Sequence, residues 1–385
     1  MGWLRGRLGR PAIMAALLSV TLVTPALAGN WNLPIALTSS GNAWHGGLAA
    51  TGISTAIAIY ENNGRIAVRR SGDGGVSWQA PLRVAEAGRT PAVAARGANV
   101  DAVWETNDRV RYARSTNGGV SFGSSVALSP RGRLVQSPAV ARGKAGLVVV
   151  AWLQAQTVPC CDGPWNVRVR VSSDGGASFG AAATVGQGWG PVVAAGKGVA
   201  YVAHEAIVGS RRGLSISRST TGGDSWEPPF TFAYVGNLLG AGGSPTLTAA
   251  GSVAYVGYAE AVEVNDEHGD LVSFTNWVRY RRTGDRGKTW SPARNLTSSA
   301  TGSRAANPVF SMRGGVLRTA FTDDVAIYYR QRPEGGSWSA PQLAVSDNAG
   351  YETPVGIGFA SRVVIAFAGD NGAGGPNIFA ASGTP

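Results

Sequence analysis

The chain has 385 residues, with 34 Lys and Arg against 23 Asp and Glu, for a formal net charge of +11. That surplus suits either a solvated surface or attraction to acidic polymers. No helical recognition element and no aromatic-basic groove pattern marks a nucleic-acid binder, and beyond the first 28 residues no run is apolar for long enough to span a bilayer.

Residues 1–28 read as a secretory signal peptide. Arg5, Arg7 and Arg10 form its basic region, Ala12 to Val23 its apolar region, and Ala26-Leu27-Ala28 the cleavage pattern before Gly29. The expectation is a secreted or periplasmic protein, one domain over residues 29–385, with no membrane anchor after cleavage. The segment after the leader, Asn30-Trp31 to Leu37, looks like Thr289-Trp290 to Leu296 and reads as an isolated outer strand.

From there a four-part unit recurs. A small-residue strand comes first, starting near Trp44, Pro91, Pro138, Pro191, Pro245, Pro308 and Pro354. A continuously apolar strand follows, as in Val100–Trp104 and Leu147–Trp152, suited to burial on both faces. The third strand alternates basic and apolar residues, as in Arg65–Arg69 and Val167–Val171, the period of a half-exposed strand. A turn phrase then leads through an aromatic ring into a fourth strand.

The turn phrase is the strongest signal in the chain. Its copies run Ser71–Trp78 (with Asp73), Ser115–Phe122 (with Asn117), Ser172–Phe179 (with Asp174), Ser219–Trp226 and Thr283–Trp290 (with Asp285). A damaged copy is Glu334–Trp338. Asp or Asn bonds the backbone just ahead of it, and Gly supplies positive φ, so each copy predicts a turn between antiparallel strands. The phrase resembles the Asp-box of bacterial neuraminidases and related β-propellers of the sialidase-like superfamily. The resemblance implies an all-β fold in which Asp73, Asn117, Asp174 and Asp285 are structural and lie away from the ligand face, with Trp78, Trp226 and Trp290 opening outer strands. Counting the units gives a seven-bladed β-propeller of four-stranded antiparallel blades. The last unit stops short of its outer strand, so the amino-terminal strand is expected to complete it and close the ring, removing exposed edges. Sialidases proper have six blades. Their Arg-Ile-Pro motif is missing, and no spacing assigns their arginine triad, acid/base Asp or Tyr–Glu pair.

The loops opposite the Asp-box turns are the longest, which makes that face the expected site. The buried strands end in Glu61, Glu105, Gln154, Glu205, Glu260, Asp323 and Asp370. Such acids either cap backbone and pair with arginines, or form the carboxylate pairs of glycosidic chemistry. Candidate catalytic residues are Glu61, Glu105, Glu205, His45 and Tyr351. Candidate substrate-binding residues are Trp44, Arg89, Arg133, Trp165, Trp189, Trp277 and Arg304, with Trp165, Trp189 and Trp277 expected in loops. His204 stands where other units carry an aromatic and reads as a packed residue. The adjacent Cys160 and Cys161 are left with a vicinal disulfide, an intermolecular partner or free thiols, the first being favoured. No cofactor or structural metal is expected. The acidic stretch Glu263–Asp270 leaves calcium open, though without EF-hand spacing. The expected partner is extracellular carbohydrate, acidic or neutral, bound by a monomer. Glycan recognition without the sialidase catalytic set leads, followed by a glycoside hydrolase using axial carboxylates and then by a polysaccharide lyase.

Overall fold

The computed structural model describes residues 30–39, 41–43, 45–155, 165–233, 245–265, 268, 271–297, 305–323, 326–346, 353–359, 361–370 and 375–384. The signal-peptide reading, Trp44, Cys160, Cys161, Arg304 and Tyr351 all lie outside these residues, and so do the side chains of most of the acidic stretch.

Among the described residues every regular element is a β-strand and every pairing is antiparallel. Two short strands, β1 (Asn30–Trp31) and β2 (Ile35–Ala36), open the chain. The first sheet holds β3 (Gly46–Thr51), β4 (Thr55–Asn62), β5 (Arg65–Ser71) and β6 (Leu82–Ala85) in sequential order. The second holds β7 (Arg89–Arg96), β8 (Asn99–Glu105), β9 (Val110–Ser115) and β10 (Val126–Ala127). A seven-stranded sheet follows: β11 (Val135–Arg142), β12 (Val148–Gln154), β13 (Trp165–Ser172), β14 (Ala183–Ala195), β15 (Ala200–Val208), β16 (Arg211–Ser219) and β17 (Phe230–Ala233). Next come β18 (Thr246–Ala250), β19 (Val253–Asn265), β20 (Leu271–Thr283) and β21 (Arg294–Asn295), then β22 (Ala306–Arg313), β23 (Val316–Asp323), β24 (Ala326–Pro333) and β25 (Gln342–Val345). The last sheet combines β26 (Thr353–Phe359), β27 (Val363–Gly369) and β28 (Asn377–Thr384) with β1 and β2, both of which pair β28.

The seven-stranded sheet departs from the four-strand unit for a simple reason. Its middle strand β14 is continuous through Gly186, Gly188 and Gly190, so its first half pairs β13 as an outer strand while its second half pairs β15 as an inner one. The outer strands also start later than the aromatic rings: Trp78 precedes β6 and Phe122 precedes β10 by several residues.

Burial follows the alternation read from the sequence. Strands β4, β8, β12, β15 and β27 are buried along most of their length, while β5 and β13 alternate. Among the described residues seven buried clusters sit between successive strand sets, each joined by one ring that follows a turn or opens β1: Phe122, Phe179, Trp226, Trp290, Trp338, Trp31 and Trp78. The last of these joins the first sheet to the final one, since Ala56, Ala58 and Tyr60 pack with Val364, Ala366 and Ile378. The inner strands neighbour one another in the same cyclic order, with β3 against β7, β7 against β11, and finally β26 against β3.

The turns that follow the third strands are locked by their own side chains. Asp73 Oδ1 accepts from the Val76 and Ser77 amides at 3.0 and 2.9 Å, and Ser71 Oγ accepts from Gly75 N at 2.8 Å. Asp174 and Asp285 repeat the pattern, and Asn117 Oδ1 takes the Ser121 amide at 3.0 Å. The four Asp and Asn turns are tied to the hairpin between the first two strands of their units, as in Gly74 N to Ser54 O and Gly118 N to Ala98 O, both 2.7 Å. Those two sets of turns therefore share one face. The loops joining second to third strands, and fourth to the next first, share the other.

Candidate functional site

The candidate site lies at that second face, where the buried strands end. Inner strands β7 and β11 each skip register near their start, between Arg89 and Ala92 and between Gln136 and Ala139. The residue before proline in each skip, Thr90 or Ser137, has a positive φ of 45° or 52°. The following proline disfavours the right-handed helical region there, and the bulge turns the amide out of the ladder. Thr90 N then donates to Glu61 Oε2 at 3.3 Å, and Ser137 N to Glu105 Oε2 at 2.9 Å. The carboxylate ending one buried strand thus holds the strained start of the next unit's inner strand.

His45 and Arg89 join this cluster. His45, just before β3, keeps a half-exposed ring whose Nδ1 is 3.5 Å from Glu61 Oε2, and its carbonyl accepts from Glu61 N at 3.1 Å. Arg89 Nε is 4.0 Å from Glu105 Oε1, and its Nη2 donates to Asn107 Oδ1 at 3.2 Å. Glu105 is 6% exposed. Burial pushes its carboxyl above the usual carboxylate range, against the opposing pull of the Ser137 amide, Arg89 and His45.

Further round the rim the acids pair with arginines that lie beside aromatic rings. Glu205 Oε2 is 3.2 Å from Arg212 Nη1, and the Arg212 guanidinium lies 5.9 Å from the Trp189 ring centre. Glu260 Oε2 is 2.9 Å from Arg279 Nη1, with Arg279 5.8 Å from the Trp277 ring centre. Register produces both sets, because Trp189 faces Glu205 across β14 and β15, and Glu260 faces Trp277 across β19 and β20.

The structure corrects one expectation outright. Trp165, Trp189 and Trp277 lie in β13, β14 and β20, because the strands run past the ends assigned from sequence. Trp165 is partly buried against the cluster that β12 and β13 form with β14 and β15. Arg133 is exposed ahead of β11. Arg212, Arg279, Asn107 and the two pre-proline amides were not singled out from sequence. Cross-strand register could have found the arginines, since each lies two residues along the third strand from the position opposite its acid, Leu214 for Glu205 and Trp277 for Glu260. Among the described residues no group of three or more His, Cys, Asp or Glu is placed to hold a metal ion, and no helix is long and apolar enough to cross a membrane.

No protein-family model and no curated protein matches the chain. Solved structures do. A polysaccharide lyase, Uly1, aligns over 92% of this chain and 99% of its own with a TM-score of 0.55 at 9% identity. A Trypanosoma rangeli sialidase, solved with sialic acid, aligns over 93% of this chain and 60% of its own with a TM-score of 0.50 at 14% identity. The arabinofuranosidase arb93a from Fusarium graminearum aligns over 93% and 96% with a TM-score of 0.48 at 15% identity. At these identities the likeness is one of fold. The chain has an all-β, β-propeller architecture of the kind seen in glycan-acting enzymes.

Proposed function

We propose that this chain is a secreted, monomeric Asp-box propeller of seven blades, closed by β1 and β2. In this reading it recognises extracellular glycan on the face opposite the Asp turns and lacks the sialidase catalytic set. The seven inter-sheet clusters and the pairing of β1 and β2 with β28 support the ring. The engagement of the acids supports recognition over chemistry: Glu61 and Glu105 hold backbone amides, and Glu205 and Glu260 hold arginines beside Trp189 and Trp277. Guanidinium groups next to indole rings suit a sugar that carries a carboxylate, since the ring stacks on the pyranose face and the guanidinium N–H groups beyond the Nη1 that each acid engages donate to the anion. The test is calorimetric titration with uronate-containing and neutral oligosaccharides. Trp189→Ala and Trp277→Ala are expected to weaken binding of the acidic set by about tenfold, the scale of one lost stacking contact. Unchanged affinity in both variants would discard the recognition reading.

One observation favours a second reading, hydrolysis. Glu105 is a buried carboxyl held above its ordinary range beside His45 and Arg89, the condition of a general acid. Turnover of aryl glycosides that is lost in Glu105→Gln would establish it. An unsaturated product from a polyuronate, lost in a His45 variant, would instead establish a lyase.

A further inference from the structure

A cavity lies between the inner strands at the other end of the molecule from the His45, Glu61 and Glu105 cluster. It encloses about 640 Å³ and is lined by the far halves of β3, β7, β11, β14, β18, β22 and β26, with the turns that follow them. Its depth is aliphatic, from residues such as Leu48, Val93, Val140 and Val193. Its mouth is basic. Arg96 and Arg313 end β7 and β22, Lys144 and Lys197 lie in the turns just after β11 and β14, all four are exposed, and the lining contains no Asp or Glu. A fifth cation at this level, Arg142, is already neutralised by buried Asp101. Arg313 is held toward the axis by its Nη1, which donates to Phe359 O at 2.7 Å.

Like charges converging on one opening repel, and low-dielectric walls focus the resulting field. Nothing in the fold requires the two arginines: where β7 and β22 end on Arg96 and Arg313, β3 ends on Thr51 and β18 on Ala250, and both sheets form without a cation there. The volume falls within the range of small-molecule sites, roughly 300–1,000 Å³, and exceeds what a single inorganic anion fills. The hydrogen bonds that tie the Asp turns to the inner hairpins put this mouth on the Asp-turn face, away from the His45, Glu61 and Glu105 cluster.

We propose that this axial mouth is a separate binding site for a compact polyanion, a molecule carrying several carboxylate, sulfate or phosphate groups. Arg96 and Arg313 grip anionic groups by forked hydrogen bonds, and Lys144 and Lys197 contribute as point charges.

The experiment is titration calorimetry at low ionic strength with three probes, tripolyphosphate, citrate and a sulfated heparin disaccharide, which separate the three anion chemistries. At least one probe is expected to bind with one-to-one stoichiometry. Lys144→Gln/Lys197→Gln should weaken that binding by about tenfold or more, because two of four converging charges are gone. The control Arg211→Gln/Lys288→Gln removes the same net charge from exposed positions outside the cavity and should leave it within about twofold. All four substituted side chains are exposed, so both variants should melt with the parent protein. Trp189→Ala and Trp277→Ala should not affect these probes, which separates this site from the glycan face. Absence of binding by all three probes, or equal losses in the two double variants, overturns the proposal.

Discussion

His204 is the residue whose protonation the fold opposes most directly. Its side chain is 1% exposed, its Nδ1 lies 3.0 Å from the Glu205 carbonyl, and its Nε2 is buried without a partner. The carbonyl can only accept, so the neutral ring donates from Nδ1. Burial lowers its pKa below the usual 6.5. The unfolded chain therefore takes up a proton as pH falls through about 6.5, while the native protein does not until lower pH. Stability is complete above that value and declines below it, down to the native pKa. Thermal melts between pH 7 and 5 should show the decline, and His204→Phe should flatten it; parallel slopes in the two proteins would show that another group is responsible. Asp101 is the second critical residue. It is fully buried, pairs with Arg142, and accepts from Tyr112 Oη at 2.5 Å. Removing it leaves the nearly buried Arg142 charge uncompensated, so Asp101→Ala should cost about 3–5 kcal/mol in urea unfolding. Residue roles at the rim were only half legible. The acids ending the buried strands stand out in the sequence. Their partners do not, because a β-branched Thr90 at positive φ runs against its intrinsic preference and is produced by the bulge and by Pro91.

At the scale of elements, the Asp turn is both a local device and an inter-sheet contact. Serine and backbone donors satisfy the carboxylate of Asp73: a small burial penalty is outweighed by Ser77, Ser71 and Val76, and the pKa falls to about 2. The group is solvated, so the turn is worth a modest amount. Asp73→Ala should cost about 1 kcal/mol, the scale of a side-chain cap on backbone amides, and Asp73→Asn less, since Asn117 serves the same role in the second sheet. The two glycines of the turn behave differently. Gly175 and Gly176 both have positive φ, but a Cβ on Gly175 meets only ordinary contacts, whereas one on Gly176 would strike the Tyr112 hydroxyl of the preceding sheet. Gly175→Ala should lose about 1 kcal/mol from backbone strain alone. Gly176→Ala should lose clearly more, because Tyr112 is anchored on Asp101 and cannot yield; equal melting temperatures would refute this inter-sheet role. The turns were readable because they are encoded within eight residues. The outer strands were not, since β10 and β21 are two residues long and the aromatic that seemed to open them packs instead between sheets. The pairing of β15–β16 and β19–β20 continues past Glu205 and Glu260, the acids that read from sequence as strand ends because a charge interrupts each apolar run there.

At the scale of the molecule, the proposed ring depends on strands that are remote in sequence. Trp31 meets Tyr329 edge-on at 5.6 Å, Asn30 and Trp31 pair with Thr384 and Gly383, and Thr38 Oγ1 donates to Asn377 Oδ1 at 2.9 Å. The likeness of this segment to Thr289–Leu296 made the pairing legible, because an outer strand lacking its own unit needs an edge to join. Without residues 30–38, the outer edge of β28 is uncovered and the cluster around Tyr329 loses an indole. Trp31→Ala alone should cost about 3 kcal/mol, the scale of a partly buried aromatic removed from a packed site. Deletion of 30–38 should also produce association through the open edge, visible in light scattering. A circular permutant separates closure from mere chain length. Joining Thr384 to Asn30 by a short linker, with new termini between the exposed Gly209 and Ser210, keeps every strand pairing and makes the contact between β1 and β28, remote in sequence, a local hairpin. It should melt at or above the parent temperature, since the loop that closes the ring becomes short. If the deletion variant instead unfolds at the parent temperature and stays monomeric, the amino-terminal strands do not hold the ring together, and the arrangement of rim acids around a common axis loses its basis.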